Sequence, residues 1–188
     1  MSETILVTGA SAGFGQAICR RLVADGHRVI GAARRIEKLQ KLQEELGESF
    51  YPLQMDVTDL SQVDHALASL PADWSQIDVL INNAGLALGL APAQEAEMAD
   101  WLTMIQTNIV GLAYLTRQIL PQMVERNDGY IINMGSTAGT VPYPGANIYG
   151  ASKAFVKQFS LNLRADLAGK KIRVSNIEPG LCEGTEFS

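Results

Sequence analysis

The chain has 188 residues, of which 47% are hydrophobic and 19% charged. That length supports one core burying roughly 70% of the unfolded surface, and the composition excludes a disordered or fibrous chain. Fifteen Lys and Arg against twenty Asp and Glu leave a net charge of −5, which speaks against a general nucleic-acid binder.

Thr4 to Thr8 (T-I-L-V-T) is an apolar run ended by Gly9, the pattern of a strand buried on both faces. Ala17, Ile18 and Leu22 then recur at helical spacing up to Gly26, a helix-ending residue. Arg28 to Ala33 reads as a second strand, and Ile36, Leu39, Leu42 and Leu46 as a helical stripe closed by Gly47. Phe50 to Gln54 is a short third strand. A helix capped by Ser61 and carrying Val63, Leu67 and Leu70 follows, stopped by Pro71. Ile77 to Asn82 is the most hydrophobic strand, and it runs into Asn83-Ala84-Gly85. After a Gly/Ala/Pro-rich loop to Pro92, a long helical region spans about Glu95 to Arg126, in one or two pieces. Asn127-Asp128-Gly129 is a turn, Tyr130 to Met134 a fifth strand, Asn147 to Leu167 a helix and Ile172 to Ile177 a sixth strand.

Strands separated by single helices need crossover connections, hence parallel pairing with helices on both faces. The expectation is one doubly wound, Rossmann-like α/β domain over residues 1–188, with its ligand site at the strand C-termini. No run of about 18 apolar residues suits a membrane span, and Met1-Ser2-Glu3 opens no secretory leader, so no membrane association is expected. Cys19 and Cys182 are too few for a disulfide scaffold and fit a cytoplasmic location. The His and Cys spacings match no zinc pattern, and no metal is expected.

The first strand ends in Thr8-Gly9-Ala10-Ser11-Ala12-Gly13-Phe14-Gly15, and a helix follows at once. Glycines there let the chain turn sharply and bring phosphate to amides at the positive end of a helix. The spacing G-x-x-x-G-x-G is neither G-x-G-x-x-G nor a P-loop. Gly9 to Gly13 also reads G-x-S-x-G, a hydrolase nucleophile elbow. That rival fails for want of a base: only His27 and His65 exist, both before any late acidic partner, and each reads as a helix-end or exposed residue. After the second strand come Arg34 and Arg35, with no carboxylate until Glu37, which favours a 2′-phosphate and therefore NADP over NAD.

Asn108, Ser136, Tyr149 and Lys153 interrupt apolar patterns, and Tyr149 and Lys153 share one helix face. Each alone has an ordinary structural reading. Together, T-G-x-x-x-G-x-G, N-N-A-G, Asn, Ser and Y-x-x-x-K resemble the short-chain dehydrogenase/reductase family over all 188 residues. The runs N-N-A-G-L-A-L-G, G-S-T-A-G, Y-G-A-S-K-A-F-V and I-E-P-G-L are similar to its bacterial NADP-dependent 3-hydroxy acid dehydrogenases.

The resemblance implies that Tyr149 is the general acid or base and that Lys153 lowers its pKa and bonds the nicotinamide ribose. Ser136, with Tyr149, would hold the substrate oxygen, and Asn108 would fix a proton-relaying water. Gly9, Ser11, Gly13, Phe14 and Gly15 would cradle the pyrophosphate. Arg34 and Arg35 would take the 2′-phosphate, and Asp56 and Val57 the adenine. Asn83, Ala84 and Gly85 would line the ribose side, with Pro179, Gly180 and Thr185 at the nicotinamide end. The implied reaction is hydride transfer between NADP(H) and a small 3-hydroxy acid, serine-like or 3-hydroxypropionate-like. A broader carbonyl or semialdehyde reductase and a catalytically silent nucleotide-binding sensor are the alternatives. The family habit implies a homo-oligomer, a tetramer. It also continues past Pro179-Gly180 through a lid, a helix and one more parallel strand, so the expectation is a chain truncated at its C-terminus.

Overall fold

The structure, a computed structural model, describes residues 2–180. Strand β1 (Thr4–Thr8) is buried along its whole length and leads into helix α1 (Gly13–Ala24). The alternation repeats with β2 (Arg28–Ala33) and α2 (Ile36–Leu46), then β3 (Phe50–Gln54) and α3 (Leu60–Ala68), then β4 (Val79–Asn82). Helices α4 (Met98–Ile105) and α5 (Leu112–Arg126) form one run joined by a π-helical segment, Gln106–Gly111. β5 (Gly129–Met134), α6 (Asn147–Asp166) and β6 (Ile172–Ile177) follow.

The six strands lie in the order β3-β2-β1-β4-β5-β6, and every pair is parallel. This is the doubly wound sheet expected from the alternation. The order reverses between β1 and β4, which opens a crevice at their C-terminal ends. Successive strand side chains point to opposite faces. Leu6, Ile30, Leu80, Ile131 and Val174 pack on one face beneath Val63, Leu115, Ile119 and Leu163 of α3, α5 and α6. Ile5, Val7, Val29, Val79 and Ile81 pack on the other beneath Cys19 of α1 and Leu39 and Leu42 of α2. Pro52 is tolerated because β3 is an edge strand, where a missing N–H breaks no central ladder.

Several element starts differ from expectation, β4 beginning at Val79 rather than Ile77 and β5 at Gly129 rather than Tyr130. α3 is capped by Asp59, whose carboxylate accepts from Gln62 N at 3.0 Å, whereas Ser61 already lies inside the first turn. The long helical region begins at Met98 rather than near Glu95, with Glu97 in extended backbone as its cap.

Candidate active site

The loop from β1 to α1 is shaped by glycines that no larger residue could replace. Gly9 has φ +68°, a left-handed conformation that disfavours side chains. A Cβ on Gly15 would stand 2.2 Å from Gly9 O and 2.6 Å from Asn83 Nδ2, so the first turn of α1 lies directly on the loop. α1 has no side-chain cap among the described residues and no acid in its first turn. Its positive end is thus left for an anion. Thr8 ties this loop to the next: its Oγ1 accepts from Asn83 N at 3.0 Å and from Ala84 N at 2.9 Å. Asn83 Nδ2 donates back to Thr8 O at 2.8 Å. Gly9 to Gly15 and Asn83 to Gly85 therefore line one crevice.

At the end of β2, Arg35 Nη2 donates to Ser11 Oγ at 3.3 Å, which brings a guanidinium to the glycine loop across 24 residues. Arg34 beside it is exposed. After β3, Asp56 Oδ1 accepts from Thr58 N at 2.9 Å, and this turn fixes the path of Val57. Val57 O would lie 2.6 Å from a Cβ on Gly111, so the loop rests on the π-segment. Amides at an uncapped helix end, a crevice a side chain would fill and two arginines beyond it fit a dinucleotide with a 2′-phosphate.

The residues expected at the reacting centre meet where β4, β5 and α6 converge. Ser136 caps the short helical turn Thr137–Gly139, with its Oγ accepting from Ala138 N at 3.2 Å. That turn sits on the backbone of α6: a Cβ on Gly139 would be 2.7 Å from Lys153 C, and one on Gly150 would be 2.9 Å from Ala138 O. The close approach brings Ser136 beside Tyr149, where its hydroxyl favours the ionised form of the phenol. Lys153, one turn on, is 5% exposed and donates to Met134 O at 2.8 Å, with its Nζ 5.8 Å from the Tyr149 ring centre. A Cβ on Gly85 would lie 3.3 Å from both Lys153 Nζ and Asn108 Oδ1, so these two atoms share the space above Gly85. Pro179 O accepts from Thr137 N at 3.0 Å, which places the 179–180 segment against the serine turn. Thr185 lies outside the described residues.

Burial pulls the Lys153 ammonium down to about 8, since one carbonyl replaces a shell of water. Burial also pushes the Tyr149 hydroxyl up, against a smaller lowering by the Ser136 hydrogen bond. Burial is the largest influence on Tyr149, and Lys153 is not among the groups that shift it. Asn108 is tied into the fold. Both its amide hydrogens are committed within the protein, to Leu86 O and Ser152 Oγ, so only its oxygen has spare capacity.

The sequence profile of the short chain dehydrogenase family matches residues 3–188. The chain belongs to the short-chain dehydrogenase family. Within it, the chain is 60% identical over 184 residues to the NADP-dependent 3-hydroxy acid dehydrogenase YdfG of Escherichia coli K12, covering 98% of this chain and 74% of that protein. It is 52% identical to the serine 3-dehydrogenase of Agrobacterium fabrum, covering 100% of this chain and 75% of that one. The closed form of a serine dehydrogenase complexed with NADP+ superposes with a TM-score of 0.97 at 60% identity, covering 98% of this chain and 74% of the other.

Several residues of this short-chain dehydrogenase site escaped the sequence reading. Asn82 Nδ2 donates to Asn133 Oδ1 at 2.9 Å and to Thr116 Oγ1 at 3.0 Å, and Asn133 Nδ2 donates to Ser160 Oγ at 2.9 Å. This buried net binds β4 and β5 to α5 and α6 just below Asn83 and Met134. Its only signal in the sequence is an asparagine near the end of each of two apolar strands. The register Asn82↔Asn133 makes the pair. Among the described residues, no group of three or more His, Cys, Asp or Glu could hold a metal.

Proposed function

We propose that this chain is an NADP-dependent oxidoreductase that interconverts small 3-hydroxy acids, serine-like or 3-hydroxypropionate-like, and their 3-oxo counterparts. The observation that carries the reading is the serine turn packed on α6 beside Tyr149 and the buried Lys153, in the crevice where a dinucleotide fits. The relatives named for NADP and for 3-hydroxy acids or serine support the cofactor and the substrate class.

Gly9, Ser11, Gly13, Phe14 and Gly15 bind the pyrophosphate, Arg34 and Arg35 the 2′-phosphate, and Asp56 and Val57 the adenine. Asn83, Ala84, Gly85, Pro179 and Gly180 line the nicotinamide half. The bound nicotinamide supplies or takes the hydride. Ser136 orients the substrate oxygen toward Tyr149. The raised pKa of Tyr149 keeps it protonated at neutral pH, ready to give its proton as a carbonyl is reduced. In the reverse direction Tyr149 must accept a proton, and the charge of Lys153 favours its ionised form. Asn108 holds Leu86 and α6 in place around this exchange.

The chain works in the cytoplasm, a reading supported by its two cysteines, and as a homo-oligomer. Exposed Met98 and Leu102 on α4 and Leu161 on α6 support subunit pairing through these helices; the tetramer rests on the family resemblance. No described helix is long and apolar enough to cross a membrane. The two packed faces of one sheet support a single domain.

A panel of 3-hydroxy acids with NADP+, followed by nicotinamide absorbance, tests the function. At least one acid is turned over, and Tyr149→Phe lowers its kcat roughly a thousandfold while NADPH still binds. Turnover only of unrelated carbonyls would move the chain to the broader reductases. NADPH binding with no turnover of any substrate would make it a nucleotide-binding module.

A further inference from the structure

Ser152 lies on α6 between Tyr149 and Lys153 and has no exposed surface. A serine inside a helix commonly bonds back to a carbonyl one turn earlier. Ser152 Oγ does so, donating to Tyr149 O at 2.7 Å. It also accepts from a different helical segment: Asn108 Nδ2 donates to it at 3.0 Å.

Asn108 is 1% exposed and sits in the π-helical segment. Its carboxamide accepts from Leu86 N at 3.0 Å and donates to Leu86 O at 2.9 Å and to Ser152 Oγ. The Leu86 pair holds both ends of the amide, its oxygen by accepting and its nitrogen by donating. The second amide hydrogen points away from Leu86 and has Ser152 as its acceptor. Asn108 Oδ1, held by Leu86 N, faces the space above Gly85 beside Lys153 Nζ.

We propose that Ser152 is a positioning residue for the reacting centre, accepting a hydrogen bond from the second amide hydrogen of Asn108 while donating one to the Tyr149 carbonyl. The hydroxyl bridges the π-segment to the helix that carries Tyr149 and Lys153. It ties the nitrogen end of the Asn108 amide to α6, while Leu86 N holds the oxygen end that meets Lys153. Being fully buried, Ser152 touches neither substrate nor cofactor. The proposal rests on the reading of Asn108, Tyr149 and Lys153 as the reacting centre.

Ser152→Ala strands a buried N–H of Asn108 without an acceptor and uncouples the π-segment from α6. We expect kcat to fall roughly ten- to a hundredfold, with KM and NADPH affinity nearly unchanged. Ser152→Cys, which keeps a weak donor and acceptor, restores part of the loss and serves as the test variant should the alanine form fold poorly. Asn108→Ala combined with Ser152→Ala is no slower than Asn108→Ala alone, since the serine acts through the asparagine. Nuclear magnetic resonance gives a readout independent of turnover. The side-chain amide protons of Asn108 exchange slowly in the wild type and about tenfold or more faster in Ser152→Ala. Wild-type kcat in the alanine variant, multiplying losses in the double variant or unchanged amide exchange would each overturn the proposal. A wild type that turns over no substrate but keeps the exchange response would sink the functional reading and leave the bridge standing.

Discussion

Lys153→Met should make the protein more stable while abolishing turnover. Lys153 is 5% exposed and donates to one carbonyl, Met134 O, at 2.8 Å. Burial lowers its pKa from 10.5 to about 8. At about 1.4 kcal/mol per pH unit, that shift costs roughly 3 kcal/mol whenever the folded protein must carry the proton. The folded chain binds this proton less tightly than the unfolded chain. The cost is therefore fully present below about pH 8 and is relieved as pH rises toward 10.5, where both states are neutral. Methionine has no charge to bury and loses only the bond to Met134, worth about 1 kcal/mol. The net gain is about 2 kcal/mol at pH 7, shrinking to nothing or reversing by about pH 10. Urea unfolding of both proteins at several pH values, without nucleotide, measures it. Cys19, which burial raises to about 12, lowers stability in the alkaline range in both proteins and cancels in the difference. A methionine variant less stable at pH 7, or a difference that ignores pH, would refute the reasoning. The gain in stability against the loss of activity is the trade expected where function needs a buried charge.

Arg34→Ala with Arg35→Ala should weaken NADPH roughly ten- to a hundredfold and NADH far less, as read by nucleotide fluorescence titration. Equal losses would remove the arginines from the 2′-phosphate site. Gly139→Ala places a methyl 2.7 Å from Lys153 C, and backbone cannot yield as a flexible side chain does. The expected loss is about 1–3 kcal/mol in urea unfolding. kcat should fall as Ser136 moves off Tyr149, with NADPH binding retained. A neutral alanine there would mean the serine turn does not depend on that contact.

The alternation of short apolar runs with helical stripes foretold the parallel sheet, because each period is fixed locally by backbone geometry. Residues with a chemical signature were legible too: the glycine loop, the arginine pair, Ser136, and Tyr149 with Lys153 one turn apart. The cap of α3 was misplaced by two residues because Asp59 and Ser61 are equally good caps in isolation. Asn108 was legible as a polar interruption, but its bonding was not. Its partners Leu86 and Ser152 are 22 and 44 residues away, and its place in a π-segment has no marker in the local pattern.

Fold class and the crevice at the strand ends are written in local pattern, since periodicity and glycine conformation act over a few neighbours. Tertiary structure alone decided the electrostatics. That Lys153 is depressed, that Tyr149 is raised and that both hydrogens of Asn108 are spent follow from burial and from contacts between β5, α6 and the π-segment. A charge has no fixed pKa along a chain; it acquires one only when packing removes its water.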